Sequence, residues 1–342
     1  MSGPTQKYLV VGPSWVGDMV MAQSLFIDLK QCHPNASIDV VAPNWTRALL
    51  ERMPEVDQLI SADFQHGKLS LGNRIALGKK LRDSNYTNAI VLPNSLKSAL
   101  VPAIARIPHR TGFLGEQRWG LLNDIRKLDK KLLPMTVQRF IALGRERKAQ
   151  FPDLASIAAP KLSVPKVQVE KALTKYDLNA EQKVLVLCPG AEFGASKKWP
   201  ASHYAQVAQH FLDQGWQVWL MGSSNDQESC SLINDLTGHG CQQLAGETSL
   251  TEAIDLISCA SLQVSNDSGL MHIGAALQVP LVAVYGSTDP AHTPPLSNNH
   301  TIAKLELDCS PCHKRECPLH HHDCMNQLHA SSVIASGEEL LA

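Results

Sequence analysis

Short apolar runs alternate with segments of helical periodicity along most of the chain, and the clearest example lies at 262–286. This segment begins with an apolar run typical of a buried strand, which ends in the polar turn Ser265-Asn266-Asp267-Ser268-Gly269. A helical pattern and a second apolar run at 281–285 follow, before Gly286. The pattern predicts a βαβ unit. Its polar turn lies where the carboxyl end of a strand meets a helix N-terminus, the usual ligand position in open parallel sheets.

The first half of the chain predicts a parallel sheet covered by helices on both faces. Apolar runs of strand length lie at 7–11, 37–41, 56–60, 89–92 and 110–113. Helical patterns lie between them, at 19–31, 45–53, 71–82 and 95–105. Alternation of strands and helices at this spacing is typical of doubly wound α/β domains.

A change of composition separates this half from the next. Residues 151–165 are mostly small and include three prolines, which predicts a hinge. The alternation then resumes, with strands predicted at 184–187, 216–221 and 242–244 before the 262–286 unit. We therefore expect an α/β protein with two Rossmann-like doubly wound domains facing each other across a cleft. The predicted boundaries are 1–165 and 166–325, with a C-terminal helix at 326–342 that packs back on the N-terminal domain.

Polar loops follow three strands of the second predicted domain, after positions 187, 221 and 264. Because the carboxyl ends of parallel strands meet at one edge, these loops should converge there. They bring glycine amides, the lysines of Lys197-Lys198-Trp199-Pro200 and a helix N-terminus, which together suit a nucleotide diphosphate. Asp267 is expected to cap the helix. The alternative to a phosphate site is a plain capped helix in which His272 is a core residue.

The loop after the first strand adds a carboxylate. Gly12 and Gly17 permit a tight turn, and Asp18 stands at the start of the following helix. The pattern differs from the dinucleotide-binding G-x-G-x-x-G sequence, so a dinucleotide site is only weakly indicated. A plain helix cap is the alternative role for Asp18.

Length and composition restrict the class of protein. A chain of 342 residues with 44% hydrophobic residues can form two domains with sizeable cores. No apolar run approaches the ~20 residues of a membrane span, and the N-terminus lacks the basic start and cleavage site of a signal peptide. The nine cysteines are therefore expected as reduced thiols in a cytoplasmic protein.

The net charge of −1 conceals an uneven distribution. Residues 66–150 contain 17 Lys or Arg and 5 Asp or Glu, while the remainder contains 14 and 27. A basic segment in a nearly neutral protein predicts a local anionic partner, and ordinary solvated helix surfaces are the alternative. Nucleic acid is not indicated, since the segment has no recognisable nucleic-acid fold or set of stacking aromatics.

Taken together, these motifs resemble glycosyltransferase family 9, whose members are bacterial heptosyltransferases of the GT-B fold. The resemblance is carried by GPSWVGDMVMAQSL at 12–25, CPGAEFG at 188–194 followed by KKWP, Asp267-Ser268-Gly269 with His272, and CSPCHKRECP at 309–318. It extends from Tyr8 to Leu328. It implies an inverting transfer of heptose from ADP-heptose to the first heptose of the lipopolysaccharide inner core.

The resemblance also assigns roles to particular residues. Asp18 is the expected catalytic base, and Lys197 is expected to stabilise the departing diphosphate, with Lys198 as the alternative lysine. Some relatives place threonines where this chain has Glu192-Phe193-Gly194, which leaves phosphate contact to the backbone or to Ser196. The predicted donor-binding residues are Gly17, Ser196, Lys198, Asp226, Glu228, Thr248, Asp267, Ser268, Gly269 and His272.

Within that set, three residues are assigned to the sugars and the base of the donor. Asp226 and Glu228 are candidates for sugar hydroxyls, since carboxylates accept well from diols, and a solvated turn is the alternative. Thr248 is expected to border the adenine.

The basic segment is assigned to the acceptor. An anionic lipopolysaccharide inner core implies a protein that is peripheral at the inner face of the inner membrane. The predicted acceptor-binding residues are Lys68, Arg74, Arg118 and Arg139.

Four cysteines near the C-terminus form a separate motif. Cys309, Cys312, Cys317 and Cys324, with histidines nearby, could supply four zinc ligands. The spacing of Cys317 and Cys324 is unlike that of a zinc ribbon, so we expect reduced thiols or an adventitious disulfide. No metal or other cofactor is required for the predicted reaction.

Two further classes of function stay open at this point. Another nucleotide-sugar GT-B enzyme, such as an epimerase or a heptosyltransferase with a different core acceptor, would keep the same donor site. An epimerase would turn over its donor without an acceptor, and the basic segment argues against it. A non-enzymatic metal-binding or scaffold protein would be organised around 309–324, and intact glycosyl transfer after exchange of Cys312 and Cys317 would exclude it.

Overall fold

The computed structural model describes residues 6–62, 64, 69–147 and 156–342. The chain divides into two compact units, Met1–Pro160 and Lys161–Ala342. The division therefore falls slightly before the predicted boundary at 165. The reason is that the main-chain N–H of Leu162 donates to the carbonyl of Ala276 at 3.0 Å, which attaches this segment to the second unit.

In the described part of the first unit, six parallel strands form one sheet. They are β1 (Lys7–Val11), β2 (Ser37–Ala42), β3 (Gln58–Ser61), β4 (Asn88–Val91), β5 (His109–Phe113) and β6 (Asp124–Arg126). The helices are α1 (Val16–Cys32), α2 (Arg47–Leu50), α3 (Leu71–Lys80), α4 (Leu100–Ile104) and α5 (Thr136–Gly144). The strand order is β3-β2-β1-β4-β5-β6, so the direction of winding reverses between β1 and β4.

The core of the first unit forms around its central strands. Leu9 and Val10 of β1 are fully buried although they are consecutive and face opposite sides of the sheet. Burial on both faces is what a parallel sheet covered by helices requires. Helices α1 and α5 pack together, and the guanidinium of Arg145 donates to Asp28 at 2.5 Å beside that contact.

The described residues of the second unit repeat this architecture with six further parallel strands. They are β7 (Val184–Cys188), β8 (Gln217–Leu220), β9 (Gln242–Gln243), β10 (Leu262–Asn266), β11 (Leu281–Val284) and β12 (His300–Ala303). The helices are α6 (Lys166–Lys175), α7 (Ala201–Asp213), α8 (Gln227–Leu236), α9 (Leu250–Ile257), α10 (Gly269–Ala276), α11 (Asp323–Asn326) and α12 (Ala330–Leu341). The strand order is β12-β11-β10-β7-β8-β9, so the reversal lies between β7 and β10.

The reversal of strand order marks the ligand crevice in open α/β sheets. In the second unit, β7 and β10 are paired so that Cys188 lies opposite Ser265, and both strands end at the same edge. The loop after β7 leads to Lys197, and the loop after β10 holds Asp267. In the first unit, the loop after β1 leads to Asp18. Both switch points therefore carry predicted site residues.

The C-terminal helix belongs to the second unit. Helix α12 packs on α7 and on the β10–β12 side of the sheet. Its Val333 is fully buried in the core of that unit, and a Cβ at Gly337 would lie 2.9 Å from Leu262 of β10. The apolar side of the helix therefore packs against the second unit. This packing corrects the prediction that 326–342 returns to the N-terminal domain.

The predicted fold class, two Rossmann-like doubly wound α/β domains, is confirmed. The predicted strands lie within two residues of observed ones. The pattern missed β6 and β12, which are short, polar edge strands with few apolar residues. It also overestimated the helix at 45–53, which is a 3₁₀ turn at Asn44–Thr46 followed by the single turn of α2.

Candidate active site

A nearly buried ion pair lies at the switch point of the second sheet. The Nζ of Lys197, from a short 3₁₀ turn at Ala195–Lys197, donates to Oδ2 of Asp267 at 2.6 Å. It also lies 3.4 Å from the main-chain carbonyl of Asp267. The hydroxyl of Thr288 donates to the same carboxylate oxygen at 2.5 Å. Two donors on one carboxylate offset the desolvation that burial of these charges costs.

Helix α10 begins directly after this ion pair. Ser268 occupies the N-cap position with extended backbone (φ −144°), and no side chain caps the helix. The prediction that Asp267 caps the helix is therefore wrong, because its carboxylate is bonded to Lys197 and Thr288 instead. The first-turn amides from Gly269 onward have no intrahelical acceptor, and they give the site partial positive charge beside the lysine.

His272 is buried one turn into α10. Burial lowers the pKa of its imidazole to about 4; the negative charge of Asp267 opposes this shift and the positive charge of Lys197 adds to it. The ring is therefore neutral at physiological pH. The His272 ring therefore adds no positive charge to the site.

Asn266 ties three segments of this site together, and the sequence motifs did not single it out. Its Oδ1 accepts from the main-chain N–H of Trp199 at 3.3 Å and from the hydroxyl of Tyr204 at 3.0 Å. Its Nδ2 donates to the carbonyl of Pro189 at 2.6 Å. Asn266 is fully buried at the end of β10. An amide side chain at the last position of a buried strand, directly before the turn that begins at Asp267, is the signal that could have identified it.

Two neighbours of Lys197 differ in accessibility. Ser196 is 2% exposed, and its hydroxyl donates to the carbonyl of Lys314 at 2.5 Å. The Ser196 hydroxyl also lies 2.9 Å from the hydroxyl of Ser287. These contacts correct the prediction that the Ser196 hydroxyl binds the donor, because it points into the protein. Lys198 is partly exposed and lies at the end of the 3₁₀ turn.

Asp226 has a structural role. It is buried, and its Oδ2 accepts from the main-chain N–H of Ser223 at 2.9 Å and from the Ser223 hydroxyl at 2.8 Å. A Cβ at Gly190 would lie 2.4 Å from the Asp226 carboxyl group, so the two loops are in close contact. The predicted contact of Asp226 with sugar hydroxyls is corrected accordingly, since the carboxylate is used to close the turn after β8.

Glu228 and Thr248 lie in the loops that follow the neighbouring strands. Glu228 is exposed in the first turn of α8, where a ligand can reach its carboxylate. The hydroxyl of Thr248 donates to the carbonyl of Leu244 at 3.3 Å, within the loop after β9. Both residues remain candidates for donor contact.

The first unit presents Gly17 and Asp18 in the first turn of α1. Trp15 is the N-cap residue and forms no side-chain cap. Asp18 is partly buried, and its carboxylate lies near the positive end of the helix dipole, which favours the ionised form. A Cβ at Gly12 would lie 2.7 Å from the terminal methyl of Met19, so a larger residue there would require the Met19 side chain to shift.

The arginines of the basic segment are used mostly inside the first unit. Arg118 is 1% exposed, and its guanidinium donates to the carbonyls of Pro93 and Phe113. Arg74 is 6% exposed, lies over the ring of Phe64 and donates to main-chain carbonyls.

Other arginines of the segment bind main-chain carbonyls in the same way. Arg139 donates to the carbonyls of Leu133 and Pro134, both at 2.9 Å. The contacts of Arg74 and Arg118 correct the prediction that these two residues bind the acceptor, because both are buried and donate to the backbone. Arg139 is partly exposed, and its contact with the acceptor stays a prediction. Lys68, the fourth predicted acceptor residue, lies outside the described residues.

The four C-terminal cysteines meet at one small cavity. Cys309, Cys312, Cys317 and Cys324 line a space of about 20 Å³, together with His321 and His322. All nine cysteines are free thiols. Within the described residues, no three His, Cys, Asp or Glu side chains are arranged so that they could hold a metal ion.

Two Rossmann-like units, with a lysine and an uncapped helix N-terminus at the switch point of the second, are the architecture of a GT-B glycosyltransferase. The chain belongs to glycosyltransferase family 9 (heptosyltransferase), whose model matches residues 74–322. It is accordingly an enzyme of the glycosyltransferase class, as the motifs predicted.

Relatives of this chain match almost its whole length. It is 45% identical over 344 residues to lipopolysaccharide heptosyltransferase 2 of Escherichia coli K12, with 98% of each chain covered. It is 44% identical over 344 residues to lipooligosaccharide heptosyltransferase 2 of Haemophilus influenzae, with 98% and 99% covered. The solved structure of E. coli ADP-heptose lps heptosyltransferase II matches with a TM-score of 0.87 and 43% identity, covering 98% of both chains. The predicted family is confirmed.

Proposed function

We propose that this chain transfers L-glycero-D-manno-heptose from ADP-heptose to the first heptose of the lipopolysaccharide inner core, with inversion at the anomeric carbon. The observation that carries the proposal is the Lys197 ammonium beside the N-terminus of α10, at the switch point of the second sheet. A cation and main-chain amides at that position suit a departing diphosphate. The heptosyltransferase names of the relatives with 45% and 44% identity support heptose as the transferred sugar.

The reaction assigns one task to each charged group. The acceptor hydroxyl oxygen bonds to the anomeric carbon as the bond from that carbon to the diphosphate oxygen breaks, and ADP departs with the bonding electron pair. Lys197 and the amides of Ser268 and Gly269 stabilise the negative charge that develops on ADP. The proposed reaction requires no metal ion, since Lys197 and these amides supply the positive charge that stabilises ADP.

Asp18 accepts the proton of the acceptor hydroxyl. Its place in the first turn of α1 favours the carboxylate form, which makes it a weak base. The hydroxyl becomes acidic as its oxygen bonds to the oxocarbenium-like centre, so late proton transfer to a weak base suffices.

The test is incubation of the purified protein with ADP-heptose and a core that ends in the first heptose. Mass spectrometry should show the addition of a heptose, and NMR should show an inverted anomeric configuration. Asp18→Asn should bind ADP-heptose with near-normal affinity and transfer heptose orders of magnitude more slowly. Transfer should persist in EDTA. Consumption of ADP-heptose at the same rate without the core would contradict the proposal and favour an epimerase or hydrolase.

We also propose that the protein binds the acceptor at the inner face of the inner membrane, and that exposed lysines of the first unit make this contact. Lys79, Lys80, Lys127, Lys130 and Lys131 are exposed, whereas the arginines of the basic segment mostly bind backbone carbonyls. Within the described part of the chain, no helix is long and apolar enough to cross a membrane.

Sedimentation with lipid vesicles tests this placement. Binding should be stronger to vesicles with anionic lipid than to neutral ones, and it should weaken as salt increases. Lys127→Gln, Lys130→Gln and Lys131→Gln together should reduce the binding to anionic vesicles. Equal binding to both kinds of vesicle would contradict an electrostatic role.

A further inference from the structure

The cysteine-rich segment 309–324 packs against the loop that carries Lys197. The main-chain N–H of Ser196 donates to the carbonyl of Arg315 at 3.1 Å, and the Ser196 hydroxyl donates to the carbonyl of Lys314. The main-chain N–H of His313 donates to the carbonyl of Ser287 at 2.7 Å. Residues 313–315 are therefore fixed from both sides by the elements that build the candidate site.

Close contact between the two backbones reinforces these hydrogen bonds. Gly194 has φ +155°, and a Cβ at this position would lie 2.3 Å from the carbonyl oxygen of Arg315. Only a glycine permits this approach. The backbone of Arg315 is consequently held against the start of the 195–197 turn, and its side chain begins at a defined point beside Lys197.

The guanidinium of Arg315 lies on the same aromatic ring as the Lys197 ammonium. The Cζ of Arg315 is 5.6 Å from the centroid of the Phe193 ring, and the Nζ of Lys197 is 5.0 Å from it. A phenyl ring attracts cations to its vicinity, so both positive charges lie close to the Phe193 ring.

The two cations differ in how far their charge is already paired with a carboxylate. Lys197 is paired with Asp267 at 2.6 Å, so part of its charge is already compensated. Arg315 is exposed, and within the described residues it forms no ion pair with a carboxylate. A guanidinium presents several donors in a planar fork that fits phosphate oxygens. Arg315 is therefore a cation beside the Lys197 turn that is open to an anionic ligand.

We infer that Arg315 binds the diphosphate of the nucleotide donor, and that segment 309–324 serves to hold it there. The inference rests on the proposed function for the identity of the donor. It gives the motif CSPCHKRECP a role in the donor site that requires neither a metal nor a disulfide. Ser196 acts as a positioning residue, because its hydrogen bonds join the Lys197 turn to the backbone of Arg315.

Calorimetric titration of three nucleotides separates a diphosphate contact from a general defect. Arg315→Gln should weaken ADP binding by about tenfold, the loss expected for a charge-assisted hydrogen bond. The affinity for adenosine should stay unchanged, and AMP should lose less than ADP. The slope of ADP affinity against salt concentration should decrease, since fewer charges meet the ligand. Arg315→Lys should retain part of the affinity.

The matched control is Lys171→Gln, which removes the same charge from an exposed position on α6. It should bind ADP like the wild type. Unchanged ADP binding by Arg315→Gln would overturn the inference, and so would an equal loss for ADP, AMP and adenosine, which indicates a distorted loop.

Heptose transfer by the wild-type protein is a separate measurement. If the wild type binds ADP through Arg315 but transfers no heptose to the core, the proposed function fails and the inference about Arg315 stands.

Discussion

The ammonium group of Lys197 lies 2.6 Å from the carboxylate of Asp267, and their side chains keep 13% and 5% of their surface exposed. A pair buried to this extent is costly to form and more costly to break, because removal of one partner leaves an unpaired charge inside the protein. Lys197 is consequently held in one position before any ligand arrives. Substitutions here affect both stability and catalysis, and the two effects have to be separated.

Lys197→Met should reduce kcat for heptose transfer by about 10²–10³-fold, the range for loss of one group that stabilises developing negative charge. It should also lower the free energy of unfolding by about 3 kcal/mol, since Asp267 is left buried without its cation. Steady-state kinetics and urea denaturation measure the two quantities.

The double variant Lys197→Met/Asp267→Asn separates the two effects. It should recover most of the lost stability, because no unpaired charge remains, and its kcat should stay as low as that of Lys197→Met. Lys198→Gln should have the smaller effect on kcat. Restoration of transfer in the double variant would show that Lys197 acts only through folding.

His272 should make the stability of the protein depend on pH. Burial lowers its pKa to about 4 in the folded state, while an unfolded histidine has its ordinary value of 6.5. The unfolded chain therefore binds more protons between these values, and the folded state loses stability as the pH falls from 6.5 towards 4. The full loss amounts to about 3 kcal/mol. Urea denaturation between pH 4 and pH 8 should show a smaller slope for His272→Gln than for the wild type; equal slopes would contradict the assignment.

Arg118 should matter for folding rather than for the acceptor. Its guanidinium donates to the carbonyls of Pro93 and Phe113 in the interior of the first unit. Arg118→Met leaves these carbonyls without donors and should cost about 3 kcal/mol in free energy of unfolding. The exposed Lys79→Gln is the control and should stay within ~0.5 kcal/mol of the wild type. A stable Arg118→Met protein with a raised KM for the acceptor would restore the surface role that the sequence suggested.

Two glycine substitutions should change stability in opposite directions. A Cβ at Gly274 in α10 would lie 1.5 Å from Oε1 of Gln263, whose amide nitrogen is bonded to the carbonyl of Leu270 at 3.0 Å. Gly274→Ala should therefore destabilise the protein by about 1–3 kcal/mol. At Gly72 in α3, a Cβ would meet no atom of the described residues within 4 Å, and Gly72→Ala should stabilise by about 0.5–1 kcal/mol. Thermal unfolding of the two variants provides the measurement, and equal shifts would contradict the packing described for α10.

The fold could be predicted because its signal is local. Buried strands such as β7 and β11 are continuous apolar runs, and a glycine follows two residues after each of them ends. The partners of polar side chains are not local. Asp226 and Glu228 are both carboxylates that follow the same strand, so the sequence does not distinguish them. In the structure, Asp226 is buried against Ser223 and Glu228 is exposed. The same holds for charge: a count of basic residues cannot distinguish an arginine that binds backbone carbonyls from an exposed lysine.

The hydrogen bonds of Asn266 have a consequence for how the second unit receives its ligand. The amide joins the end of a central strand to the main chain of Trp199 and to Pro189, so the lysine-bearing loop is anchored to the sheet. An anchored loop is already preorganised when the nucleotide arrives, and binding loses little conformational entropy in ordering it. Amide hydrogen exchange at Trp199 should accordingly be as slow as in the sheet itself, since the two can open only as one cooperative unit.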